Sequence, residues 1–227
     1  MKRAIVGLLL LSFIGSALAV QPWDLDRRIY RLTAKFEEMQ QKPDKRIPPD
    51  LLRRAEGIIL LDRTKAGFIF AFQGGVGVAM TKDPNTRQWS APAFISANDA
   101  SLGFQIGGEQ GFFVILVMNS NATRIFTDPT FQAGGEASGT AGNASAGAGG
   151  SVASTDLPVL VFDDRKGLFG GAAVKVGNIS PDNEANSVYY RQYVSMRDIL
   201  FDRKVQPTPA AVNLADKLNL YSNPPQR

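Results

Sequence analysis

Nineteen of the 22 glycines lie between Gly67 and Gly177. Glycine inside a helix costs about 1 kcal/mol relative to alanine, so a segment punctuated this often serves better as strands and tight turns. Charge divides the chain at nearly the same places. Residues 20–66 hold 11 basic and 8 acidic groups, 67–160 hold 3 and 6, and 161–227 hold 9 and 7. Two charged, helix-compatible flanks therefore enclose a β-rich middle. With 227 residues, the chain has room for one sizeable core.

Hydrophobic periodicity agrees with this division. Leu25, Ile29, Leu32, Phe36 and Met39 recur at spacings of 4, 3, 4 and 3, one face of a helix, with Asp24 placed to cap its start. Pro43 and Pro48-Pro49 end that helix, and Asp50 to Glu56 reads as a short second one stopped by Gly57. From Ile58 the period becomes two: Phe68, Phe70 and Phe72, then Val76, Val78 and Met80, then Trp89, Ala91, Ala93 and Ile95 beyond a turn at Lys82 to Asn85. Leu102, Phe104 and Ile106 share a face of a further strand. Phe112 to Met118 is apolar on both faces, as in a central strand, and Leu157–Phe162 and Leu168–Val176 supply two more. Helix returns at the end, with caps at Asp182 and Ser195 and a start at Pro209. The pattern predicts an α+β domain: an antiparallel sheet over Ile58–Gly177, open or curled toward a barrel, with helices from both ends packed on it. Ala133 to Ser151, rich in Gly, Ala and Ser, reads by composition either as a flexible linker or as small-residue strands that admit a close neighbour.

The first residues stand apart. Lys2 and Arg3, an apolar run over Ala4–Ile14, and Ala17-Leu18-Ala19 form the pattern of a secretory signal cut after Ala19. The run is shorter than the roughly 20 residues a membrane span needs. This predicts a signal over 1–19, a single domain over 20–227, and a periplasmic or secreted protein. Removing Lys2 and Arg3 lowers the formal charge from +4 to +2 (23 bases against 21 acids), too little to argue for nucleic-acid binding.

There is no Cys and no His. Thiol nucleophiles, disulfides, imidazole bases and His- or Cys-bound metals are thereby excluded. No phosphate-binding glycine loop is present either. Catalysis would rest on carboxylates, Lys, Tyr or Ser, and the carboxylate candidates are Asp163, Asp164, Asp182 and Glu184, although an Asp before a helix is ordinarily a cap. The residues point to no metal, cofactor or catalytic group.

The strongest interaction feature is the first helix, whose apolar stripe is flanked by Arg27, Arg28, Arg31 and Lys35. Two readings compete: a membrane-surface helix that inserts its stripe among headgroups, and a core helix whose charges face water. The core reading carries more weight because most amphipathic helices serve their own core.

Several segments in order resemble the SYLF family: Lys65-Ala66-Gly67-Phe68-Ile69-Phe70, Trp89-Ser90-Ala91-Pro92-Ala93-Phe94, Ser101 to Gly107, Phe113 to Asn119, Gly134 to Ser138, Gly167 to Gly171, and Asp182 to Asn186 followed by Tyr189-Tyr190. The likeness runs from about Leu51 to Val205. It implies a single lipid-binding domain without an established reaction, with phosphoinositides as ligands in eukaryotic members, where the domain is also called actin-binding. It further implies that residues 133–151 are ordered strands. A signal before a lone domain resembles exported bacterial members, for which anionic phospholipid is the expected ligand and actin is not an expected partner. The resulting expectation is an exported, non-enzymatic lipid-binding protein. Arg27, Arg28, Arg31 and Lys35, with Arg53, Arg54 and Lys65, would attract anionic headgroups at about 1 kcal/mol each. The alternatives are a protein-interaction module of the envelope and, behind it, a carboxylate-dependent hydrolase.

Overall fold

Pro22 occupies the first turn of helix α1 (Pro22–Gln41), where its missing N–H costs nothing. Gln21 is the capping residue, and Asp24, three positions inside, accepts the Gln21 N–H at 3.3 Å. Asp24 therefore closes the cap from within the helix instead of starting it. The computed structural model describes residues 20–66, 72–98, 111–127, 131–132, 159–164, 167–169 and 178–225. The expected signal over 1–19, the strand around Phe104 and the glycine-rich stretch over 133–151 lie outside the described residues.

A short helix α2 (Pro49–Arg54) leads into the sheet. The strands are β1 (Gly57–Ala66), β2 (Phe72–Thr81), β3 (Ala93–Asn98), β4 (Gly111–Val117), β5 (Phe131–Gln132), β6 (Val159–Asp163), β7 (Gly167–Phe169) and β8 (Asn178–Pro181). They pair antiparallel in the order β5-β8-β3-β2-β1-β4-β6-β7. Among the described residues no ladder joins β5 to β7, so the sheet they form is open and not closed into a barrel. The centre is long: β1 and β2 pair over ten residues, from Gly57 opposite Thr81 to Ala66 opposite Phe72. β4, between β1 and β6, is buried at all seven positions, as its two-sided apolar sequence requires.

Alternation along the strands sends side chains to two cores. Ile58, Leu60, Val78, Met80, Phe112, Val114 and Leu116 face α1, α2, α3 (Asn183–Tyr190) and α5 (Pro209–Ser222). Ile59, Leu61, Ala79, Ile95, Ile115 and Val117 face α4 (Met196–Leu200) and Phe126 of a 3₁₀ segment, Ala122–Thr127. The sheet is thus the middle of three layers. The caps read from sequence are in place: Asp182 accepts the Ala185 N–H at 3.0 Å, and Ser195 and Asp198 form a capping box. No helix among the described residues is long and apolar enough to cross a membrane.

Candidate functional site

The stripe of α1 belongs to the core. Leu25, Ile29, Leu32, Phe36 and Met39 are each fully buried, against sheet residues and α5. Fully burying five such side chains contributes on the order of 10 kcal/mol to the fold. Insertion of this stripe into a bilayer is therefore corrected: in this fold the stripe is not available.

The basic residues beside it are largely engaged. Lys35 Nζ donates to Asp62 Oδ1 at 2.7 Å, and Arg31 lies 3.6 Å from the other oxygen of the same buried carboxylate on β1. Arg28 reaches Asp182 at 3.3 Å and sits over the Phe94 ring, with its side chain mostly buried. Arg27 pairs with Asp24 at 2.6 Å and stacks on Trp23, its guanidinium carbon 4.3 Å from the ring centre. Arg53 is exposed and donates to the Ser222 carbonyl at 3.5 Å, at the far end of α5, and Arg54 is exposed beside it. The Lys65 side chain lies outside the described residues. These cations hold elements together more than they form one open anionic-ligand patch.

The carboxylates disperse. Asp164 accepts the Phe112 N–H at 3.2 Å at the end of β6, while Asp182 and Glu184 stand at the start of α3, just past β8. β6 and β8 are five strand positions apart, or roughly 24 Å at 4.8 Å per strand. Paired acids for glycoside hydrolysis need roughly 5–9.5 Å, so the two groups make no such pair. Among the described residues no three acids cluster to hold a metal.

Another surface emerges instead. Five large hydrophobic side chains stand exposed among the described residues, and four of them sit on two helices: Trp23 and Tyr30 on α1, Val212 and Leu220 on α5. These helices lie side by side. The Tyr189 hydroxyl donates to Asp26 at 2.6 Å and also bonds Thr208, the cap of α5; farther along, Lys217 pairs with Glu37, and Tyr221 meets the Phe36 ring edge-on. The contacts advance together along both helices, so α1 and α5 run parallel. Their outer sides form one face, aromatic and basic on α1, aliphatic on α5. Sequence reasoning missed Trp23 and Tyr30. The available signal was their seven-residue spacing, two turns apart and opposite the apolar stripe.

Tyr189 pins the end of this face, with Tyr190 against its ring. Burial, then the neighbouring Asp26, pushes the Tyr189 hydroxyl far above the usual phenol range, and burial does the same to Tyr190, which donates to the Pro92 carbonyl at 2.6 Å. Both stay neutral hydrogen-bonding groups at ordinary pH.

Comparison with known proteins gives a consistent picture. The family described as "Ysc84: Las17-binding protein actin regulator" matches residues 98–221, more than half of the chain. The "LAS seventeen-binding protein 3" of Saccharomyces cerevisiae is 36% identical over 197 residues, covering 81% of this chain and 41% of that protein. The "SH3 domain-containing YSC84-like protein 1" of Xenopus laevis is 30% identical over 189 residues, covering 81% and 56%, and its Homo sapiens counterpart is 28% identical over 188 residues, covering 81% and 55%. This chain thus spans between two fifths and somewhat over half of the length of these relatives.

Proposed function

The chain belongs to the Ysc84 (SYLF) family, and from that premise we propose that it is a non-enzymatic binding module that docks a protein partner on the outer face of α1 and α5. The single observation that carries this reading is the gathering of Trp23, Tyr30, Val212 and Leu220 on those two helices, with Arg27 stacked beside Trp23. Trp, Tyr and Arg are the residues that dominate binding energy at protein interfaces, because they bury large areas with few rotors and fixed polar tips. The family description names a binding protein and regulator, and a relative is named a binding protein, which supports a contact role over a catalytic one.

The test replaces Tyr30 or Val212 with a photo-crosslinking amino acid in the producing cell, with exposed Tyr193 on the α3–α4 loop as reference. Discrete adducts at Tyr30 and Val212 are expected. Adducts at Tyr193 alone would overturn the proposed face. Because the family description names an actin regulator, co-sedimentation with actin filaments is the second arm.

The second reading is peripheral attachment to anionic lipid, phosphoinositides included. What favours it is Trp23 and Tyr30 on the same exposed face as Arg27 and Arg31, an arrangement suited to the headgroup boundary. Engagement of Arg28, Arg31 and Lys35 by Asp182 and Asp62 weakens it, since each of the two carboxylates offsets one positive charge and withdraws about 1 kcal/mol of attraction. Flotation with anionic and with neutral vesicles separates the two: equal and negligible binding to both removes the lipid reading. Export belongs to the same proposal, and a mature protein beginning at Val20 would support it.

A further inference from the structure

Building on the reading of α1 and α5 as a docking face, we propose that this face also takes a second copy of the chain, forming a two-fold dimer in which α1 of each protomer lies on α5 of the other. The two halves of the face complement each other. On the α1 side stand Tyr30 and two exposed cations, Arg27 and Arg31, their side chains 69% and 54% accessible. On the α5 side stand Val212 and the exposed carboxylate Asp216, for which the described residues provide no ion pair. A surface whose one half fits its other half is the requirement for an isologous contact.

The register supports the fit. Asp26 and Thr208 are level, since both bond the Tyr189 hydroxyl. Tyr30 and Val212 are each four residues farther along and therefore also level, about 6 Å on at 1.5 Å per residue. A two-fold axis parallel to the helices brings Tyr30 level with the partner's Val212 and Arg31 within about one turn of the partner's Asp216, inside the reach of an arginine side chain. Each contact occurs twice. Two helices about 10 Å wide, overlapping along the roughly 21 Å of α5, make a small interface, at the weak end of specific contacts. Dissociation constants in the micromolar range or somewhat above are therefore expected.

Sedimentation velocity on the purified protein, from about 1 µM to about 1 mM, should show a reversible monomer–dimer equilibrium. Val212→Arg and Asp216→Arg should each weaken it tenfold or more while leaving the circular-dichroism melt unchanged, because both positions are exposed. The absence of native cysteine permits a cleaner test. Mixed and oxidised Tyr30→Cys and Val212→Cys proteins should give a mixed disulfide, whereas Tyr193→Cys with Val212→Cys should not. A chain that stays monomeric throughout, or a dimer indifferent to both arginine substitutions and without the mixed disulfide, would overturn the proposal. If the monomeric chain still crosslinks another protein at Tyr30, only the second-copy inference falls and the docking face stands.

Discussion

Asn186 and Phe94 exchange two hydrogen bonds as neighbouring strand residues would: the Phe94 N–H donates to Asn186 Oδ1 at 2.8 Å, and Asn186 Nδ2 donates to the Phe94 carbonyl at 3.0 Å. Asn186 sits on α3 and is fully buried. Its amide copies a peptide group at Phe94, just before the point where β8 takes over as the partner of β3 from Ile95 onward. The α3 segment is thereby bolted to the sheet edge.

This bolt makes side-chain chemistry at position 186 critical. Asn186→Asp has nearly the same shape but loses the N–H and places a buried carboxylate against a carbonyl oxygen. A loss of about 3 kcal/mol or more is expected, against about 2 kcal/mol for Asn186→Ala, which leaves one buried N–H unsatisfied. Urea denaturation of the two variants checks the order.

Close packing in the sheet centre makes a second prediction. A Cβ on Gly77 would fall inside contact distance of the Leu60 carbonyl oxygen, whereas one on Gly57 would meet the edge of the Phe126 ring at 2.9 Å. Backbone cannot yield without breaking the β1–β2 ladder, but a ring can tilt. Gly77→Ala is therefore expected to cost about 2 kcal/mol or more, and Gly57→Ala distinctly less, as measured by denaturant midpoints.

The two helical flanks, the caps at Asp182 and Ser195 and the buried strand β4 follow from local periodicity and capping chemistry, both visible in sequence. The roles of the basic residues do not. Arg28 finds Asp182, 154 positions away, and Lys35 finds Asp62, 27 positions away, so a flanking cation looks free until the fold brings its acid. Amphipathicity likewise gives a helix two sides without saying which side meets another molecule. The stripe of Leu25 to Met39 serves the core, the reading with more weight from the sequence, and the functional surface proposed above is the opposite side.

Alkaline pH should first stabilise the protein and then destabilise it. Lys82 donates to the Leu52 and Arg53 carbonyls at 2.9 Å each, at the end of α2, and lies over the Trp89 ring. Burial, with Arg87 nearby, pulls its ammonium down to about 8. The unfolded chain keeps that proton to about 10.4. Between these values the unfolded state binds more protons, so stability rises with pH. Above about pH 10 the sign reverses, because Tyr189 and Tyr190 ionise in the unfolded chain while the fold keeps them protonated. Urea midpoints near pH 7, about 9.5 and about 11 should trace a dome, and Lys82→Met should abolish the rise while keeping the fall.

Asp62→Asn distinguishes the two kinds of partner. The buried carboxylate holds Lys35 at 2.7 Å and Arg31 at 3.6 Å, and amidation removes its charge while keeping its shape. Both cations, already partly exposed, are then freed toward solvent, and the surface beside α1 becomes one unit more positive. An anionic membrane would gain up to about 1 kcal/mol for that one added unit of charge, so vesicle binding should tighten severalfold and weaken with salt. A protein partner anchored on Tyr30, Val212 and Leu220 does not contact Asp62, so its affinity should stay within about twofold. The same variant, measured against anionic vesicles and against the partner captured at Tyr30, therefore answers the question by which binding curve moves.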